Sequence, residues 1–394
     1  MQENTPHVFS CIHSITSYTS TFLIMTDHIQ DLIEPQQETQ EKAAPIRVGI
    51  TQGDTNGVGY ELIFKTFSDA SMLEICTPIV FGHIKVANFH KKTLGFNNIS
   101  LNVVASAEEA VPGKLNFVSC SDDEVKVEFG TQSAEAGHAA FMSLEQAVND
   151  SKSGHIDVLV TAPINKASIQ STNFRFVGHT EYLSNRFGGE TAEPLMILCN
   201  NLMRVALVST HLPVSEVPFA VTKDNIDTKA RLLYESLRRD FNISAPRIAI
   251  LALNPHAGDN GILGSEEEEI IKPTIKALSE AGLPCYGPYA ADGFFGAGMY
   301  RHFDGILAMY HDQGLAPFKA LSMNDGVNFT AGLPIIRTSP DHGTAYDIAG
   351  TGTAQAGSFR QAIYAAIDIY KARKQYEESY ANPLPKIYQD KREH

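Results

Sequence analysis

Apolar residues along this chain fall into short continuous runs, separated by polar turns and by stretches of helical spacing. Ile46 to Thr51 alternates as a strand, a glycine-rich turn follows, and Tyr60 to Phe67 has the spacing of a helix. Thr77 to Phe81 reads as another short strand. Ala134 to Lys152 repeats apolar positions every three or four residues, and Gly154 supplies a stop. A unit then recurs in which a buried-type run, a polar turn and a helix succeed one another. The runs are Ile156–Val160, Val205–Val208, Ile248–Leu253 and Ile306–Met309; the helices expected with them are Asn225–Arg239, Glu266–Glu280 and Ser358–Lys374. Near-continuous apolar strands alternating with helices predict an α/β protein with a largely parallel sheet covered on both faces.

Composition narrows the class. Of 394 residues 43% are hydrophobic and 19% charged, enough apolar material for two or three cores. Lys+Arg 31 against Asp+Glu 45 leaves a net charge of -14, which disfavours nucleic acid as a partner but permits a local basic pocket. No run reaches the ~18 apolar residues of a membrane span. Thr21 to Met25 is too short for a secretory signal and has no cationic start, so residues 1–44 are expected to be a mobile extension. Cys11, Cys76, Cys120, Cys199 and Cys285 are odd in number and widely spaced, which fits a reducing cytoplasm better than a disulfide framework.

In open α/β sheets ligands bind beyond the carboxyl ends of strands. Val205–Val208 is followed by Ser209-Thr210-His211, Ile248–Leu253 by Asn254-Pro255-His256, and Ile306–Met309 by Tyr310-His311-Asp312. A single histidine at a strand end is usually a turn residue. Three in equivalent places predict a divalent-metal site of His211, His256 and His311 with an open position for a substrate oxygen. Such a site serves hydrolysis or alcohol oxidation equally well.

Other segments bear on that choice. Gln52 to Gly59, with Gly53, Asp54 and Gly57, is either an anion-approaching loop or an ordinary strand-to-helix turn; the chain has no G-x-G-x-x-G. Asp341 to Gly352 is a small-residue loop suited to close approach by an extended ligand. Lys319, Asn328 and Arg337 flank a Gly- and Pro-rich segment and could hold a phosphate or carboxylate, Arg337 near a strand end.

Thr51–Glu61, Val160–Leu183 (ending GHTEYL), Thr210–Pro213 (THLP), Leu253–Gly258 (LNPHAG), Met309–Gly314 (MYHDQG) and Gly332–Gly352 resemble the 4-hydroxythreonine-4-phosphate dehydrogenases of vitamin B6 biosynthesis. The agreement runs in order from about residue 46 to about 375. The loop from His342 to Gly352 is similar to the adenosine-binding loop of isopropylmalate and isocitrate dehydrogenases. The resemblance implies two α/β domains with mixed, largely parallel sheets, isopropylmalate dehydrogenase-like, and an active site in the cleft between them. Residues 45–170 plus 351–394 would form the cofactor side, and 171–350 the metal- and substrate-binding, dimerising side. Four positions depart from the family's usual first loop, Thr55, Asn56, Val58 and Tyr60, and Gly293 and Ala331 replace commoner residues.

Carried over residue by residue, the resemblance makes His211, His256 and His311 the ligands of a divalent metal (zinc first, magnesium or cobalt as alternatives) shared between the subunits of a homodimer. His179, Thr180, Lys319, Asn328 and Arg337 become substrate contacts. Lys319, Asp292 and Asp312 are the candidate catalytic groups, with His179 a further candidate base. Gly53, Asp54, Gly57, His342, Gly343, Asp347 and Gly350 would border NAD or NADP. The reaction implied is oxidation of a small phosphorylated hydroxy amino acid, 4-phosphooxy-L-threonine, to 2-amino-3-oxo-4-phosphooxybutanoate, which decarboxylates to 3-amino-2-oxopropyl phosphate. Two rivals stand beside it: a 4-phospho-D-threonate or D-erythronate dehydrogenase of the same family, and a metal-dependent phosphohydrolase needing no nicotinamide. The expected location is the cytoplasm.

Overall fold

The computed structural model describes residues 45–171, 174–188, 193–322 and 324–382; the expected N-terminal extension lies outside the described residues. Twelve strands form one sheet: β1 Arg47–Thr51, β2 Thr77–Gly82, β3 Leu101–Val104, β4 Leu115–Ser119, β5 Val158–Thr161, β6 Leu195–Cys199, β7 Arg204–Leu207, β8 Ile248–Leu251, β9 Cys285–Tyr289, β10 Gly305–Ala308, β11 Val327–Ala331 and β12 Arg337–Pro340. Their order is β3-β4-β2-β1-β5-β12-β11-β6-β7-β10-β8-β9. The first five strands in that order come from residues before 170 and the other seven from residues after it. Strands pair in parallel except β11 with β12, β11 with β6, and β6 with β7. The α/β, mixed and largely parallel sheet is as expected.

The apolar runs became strands because both of their faces are covered. β2, β5, β8, β10 and β12 are buried at every position. One face carries α1 Gly59–Phe67, α2 Ile84–Thr93, α5 Lys223–Arg239, α6 Lys272–Glu280 and α8 Gly357–Ala381; the other carries α3 Ala134–Lys152 and α7 His311–Ser322, with the short α4 His179–Leu183 beside α3. Ser133 and Thr222 cap α3 and α5, their hydroxyl oxygens accepting from Ala136 N at 3.1 Å and Asn225 N at 3.2 Å. The helix expected over Glu266–Glu280 is broken in two. Glu267–Ile271 is a wider π turn, and α6 restarts with Pro273 in its first turn, because proline has no amide hydrogen to continue the ladder. Among the described residues no helix is long and apolar enough to cross a membrane.

Candidate active site

β12 builds the site. It lies parallel to β5, with Arg337 opposite Leu159, and antiparallel to β11, with Arg337 opposite Thr330 and Ser339 opposite Asn328. Directly opposed residues share a face, so Arg337, Thr330, Ser339 and Asn328 project to the same side. The Arg337 guanidinium is 3% exposed. Its Nε and Nη2 donate to Thr161 Oγ1 at 3.0 and 2.6 Å, and its Nη1 donates to Thr330 Oγ1 at 3.3 Å. No carboxylate lies within ion-pair distance of it among the described residues. Burial draws its pKa down to about 10, against a smaller upward pull from Glu181. A buried cation held only by hydroxyls is an electrostatic position that an anion completes.

That side chain lines a cleft of about 250 Å³ together with His179, Lys319, Asn328, His342 and Gly343. Five residues from four separate stretches of sequence, predicted to touch substrate or cofactor, therefore meet with Arg337 at one place. Three polar atoms there are buried and unpartnered: His179 Nε2, Asn328 Oδ1 and His342 Nε2. Burial holds His179 well below the usual imidazole range, reinforced by the positive charges of Arg337 and Lys166. It is therefore neutral at pH 7 and offers hydrogen bonds without charge. Lys319 Nζ stands 3.4 Å from Asp341 Oδ1, whose carboxyl burial raises above its ordinary value against the lowering effect of Lys319. Asp341 and Lys166 line the cleft too, although sequence reasoning did not single them out. Asp341 was visible as the residue before His342, and Lys166 as one of two cationic residues, with Arg175, inside the Val160–Leu183 match.

A second cavity of about 360 Å³ shares Lys319, Asp341 and His342 with the first. Ala345, Ile348 and Ala354 give it apolar walls, which suits the flat base of a nucleotide beside the cleft. Gly53, Asp54 and Gly57 are buried behind this loop. Gly53 has φ +71° and a side chain there would meet Pro163 O at 2.4 Å; at Gly57 one would meet Thr344 O at 2.9 Å. Tyr346 Oη donates to Asp54 Oδ2 at 2.8 Å, and Val58 N donates to Thr344 O at 3.1 Å. The glycine-rich turn thus fastens the loop in place. Asp347 is exposed on the loop, and Gly350 packs against the Phe129 ring.

β7, β10 and β8 are adjacent and parallel, so His211, His311 and His256 do leave the same sheet edge. The His211 and His311 rings lie 6.3 Å apart between centroids. Two imidazoles on one tetrahedral zinc need roughly 5 Å, from Zn–N of about 2.0–2.1 Å and the ring radius. The pair stands wider than that in this structure. His211 is shifted below its usual value by burial and by Lys166, and the neutral form is the one that ligates. His256 sits exposed on a left-handed turn with φ 53°. Among the described residues no three His, Cys, Asp or Glu side chains gather around one point within the chain. The three histidines share one sheet edge, and His211 and His311 are the two whose rings lie near each other.

Thr180 is half-buried in α4. Asp312 is 84% exposed at its side chain and accepts from His311 Nδ1 at 2.7 Å; Asp292 is exposed on Ala291–Gly296. None of the three lines the cleft of this chain.

The profile of the family described as pyridoxal phosphate biosynthetic protein PdxA matches residues 74–366. The chain belongs to this family. It is 59% identical over 348 residues to a 4-hydroxythreonine-4-phosphate dehydrogenase of Bacteroides thetaiotaomicron, covering 88% of this chain and 95% of that one. It is 40% identical over 329 residues to the protein so named in Sulfurihydrogenibium, covering 84% of this chain and 100% of the relative. Among solved structures, the 4-hydroxythreonine-4-phosphate dehydrogenase of Burkholderia phymatum superposes with a TM-score of 0.68 at 36% identity, covering 82% of this chain and 98% of that one. The match spans 95–100% of the length of these relatives, and the cleft, the Asp341–Gly352 loop and the three histidines fall within the family match over residues 74–366.

Proposed function

We propose that the chain is a NAD- or NADP-dependent 4-hydroxythreonine-4-phosphate dehydrogenase, an oxidoreductase that acts on 4-phosphooxy-L-threonine. The observation that carries this reading is the buried Arg337 guanidinium without an anionic partner, in a cleft that opens onto the cavity of the Asp341–Gly352 loop. Arg337 and Lys319 would receive the phosphate, with Asn328 and the neutral His179 fixing its orientation. Asp341 presents a carboxylate to the same cleft, which favours a substrate with an ammonium group over the corresponding threonate.

When bound, the nicotinamide supplies the electron-pair acceptor and a divalent ion, zinc before magnesium or cobalt, stabilises negative charge developing on the substrate hydroxyl. His211, His256 and His311 would hold that ion. The chain's own part is to orient, to exclude water and to take up a proton. Of the groups considered as base, Asp292 and Asp312 lie outside the cleft of a single chain, and His179 is depressed too far to be an effective acceptor. Within the cleft of a single chain this leaves the Asp341 carboxylate to take up the proton, with Lys319, 3.4 Å away, kept as the ammonium that meets the phosphate.

The active unit is a homodimer that shares its site. Leu212, Val214 and Phe219 on the loop bearing His211, and Ile262 and Leu263 on the loop bearing His256, are exposed by 44–83%. Large apolar side chains around half-built ligands are what a second copy would cover. The four described cysteines are unpaired, in keeping with a cytoplasmic enzyme.

The test is NAD reduction followed by absorbance with 4-phosphooxy-L-threonine, 4-phospho-D-threonate and D-erythronate 4-phosphate in parallel, each with and without chelator. Turnover of the first and its loss with chelator are expected. Preference for a threonate would transfer the assignment to the sister activity, and phosphate release without NADH would make the chain a hydrolase.

A further inference from the structure

β2 and β4 are adjacent and parallel, yet the chain leaves them towards opposite faces of the sheet. After β2, α2 places Val86 and Ala87 in the core with Val80 and Phe117; after β4, α3 places Phe141 and Leu144 in the core with Ile79 and Phe81. Such a divergence opens a crevice at the carboxyl ends of the two strands, where α/β sheets bind ligands. A cavity of about 280 Å³ occupies that place, lined by Gly82 and His83 after β2 and by Cys120 and Ser121 after β4. It shares no lining residue with the cleft of Arg337 or the cavity of the Asp341–Gly352 loop.

Its chemistry differs from theirs. Val125, Ala139 and Met142 make an apolar wall, and Asp123, Glu124 and Glu135 stand around it with no lysine or arginine among the lining residues. Glu124 and Glu135 are in no ion pair among the described residues. His83 is 3% exposed, and its Nε2 bonds to the Asp123 backbone carbonyl. A carbonyl only accepts, so Nε2 is the donor in that bond. The other ring nitrogen, Nδ1, is buried without a hydrogen-bond partner among the described residues. Among the described residues no three His, Cys, Asp or Glu side chains converge here on one point.

We propose that the crevice between β2 and β4 is a second small-molecule site, which takes an organic amine with its ammonium towards Asp123, Glu124 and Glu135 and its apolar body against Val125, Ala139 and Met142. The volume suits a body of about one aromatic ring. Calorimetric titration of the full chain with 2-phenylethylamine tests it, alongside the isosteric acid 3-phenylpropanoate at equal ionic strength. Saturable binding of one amine per chain is expected, with the acid at least tenfold weaker. The double variant Glu124→Gln, Glu135→Gln should weaken amine binding at least fivefold, and saturating NADH should leave it unchanged. No saturable amine binding, equal binding of the acid, an unaffected double variant, or displacement by NADH would each overturn the proposal. None of these outcomes depends on the dehydrogenase reading.

Discussion

Replacing Arg337 by Met separates the two things a buried guanidinium does. In the free protein it is a cation 3% exposed, held by Thr161 and Thr330 hydroxyls and by no carboxylate. Its pKa, down to about 10, measures how poorly burial suits the charge. Methionine fills a similar volume without charge, so the folded chain should lose little stability, or gain some, as when buried ions are exchanged for apolar groups. Substrate binding should respond in the opposite way. A guanidinium–phosphate contact makes one or two charge-assisted hydrogen bonds of about 1.5–3 kcal/mol each. Losing about 3–4 kcal/mol lowers kcat/KM roughly 100- to 1,000-fold, since about 1.4 kcal/mol is tenfold.

Thermal unfolding with inorganic phosphate makes the same point without turnover. At ten times its Kd, phosphate should stabilise the natural chain by about 1.4 kcal/mol, and the Met variant by close to nothing. The measurements are Tm with and without phosphate, and initial rates over a substrate series. A variant that unfolds several degrees early yet keeps kcat/KM within tenfold would refute the reasoning, because Arg337 would then be a strut between β5, β11 and β12.

Three further outcomes follow from the same geometry. His256→Ala should abolish turnover and reduce bound metal measured by elemental analysis at unchanged Tm; full metal content would remove His256 from the ligand set. Phe219→Asp, on a side chain 83% exposed, should shift the protein from dimer to monomer by sedimentation velocity, with activity lost in proportion. His90 is 1% exposed, packs against Tyr60 and Phe129, and has its pKa lowered to about 4, by burial against the raising effect of Thr55 O. A depressed folded value means its contribution is complete above about 6.5 and lost as pH falls towards 4, on the order of 3 kcal/mol in all. Urea unfolding at stepwise pH should show that loss in the natural chain and a flatter profile in His90→Phe.

What could be read in advance was the part written in local pattern. β5, β7, β8 and β10 carry continuous apolar runs because both faces are covered, and α3 shows its buried stripe and its stop at Gly154. Of the strands that escaped notice, β6, Leu195–Cys199, does carry such a run, whereas β9 and β12 lack one. β9, Cys285–Tyr289, holds a glycine and a proline and is tolerated because it is an edge strand. β12, Arg337–Pro340, has no aliphatic residue, and only its place between β5 and β11 makes it buried. The antiparallel hairpin of β11 and β12 is set by pairing across the sheet, which spacing along the chain does not report.

The same distinction explains the site. Three histidines at one edge could be anticipated because each follows a legible strand. The depth of Arg337 could not, since it depends on a hydroxyl from Thr161, 176 residues away. That distant contact gives the argument for phosphate its force: the fold encloses a charge it does not neutralise, and does so between a loop cavity and the sheet edge that carries the three histidines. A guanidinium kept only for stability would be expected to have a carboxylate beside it, as Arg373 has in Asp240 at 2.7 Å. Arg337 has none, and the difference between these two buried arginines is what separates a site from a strut.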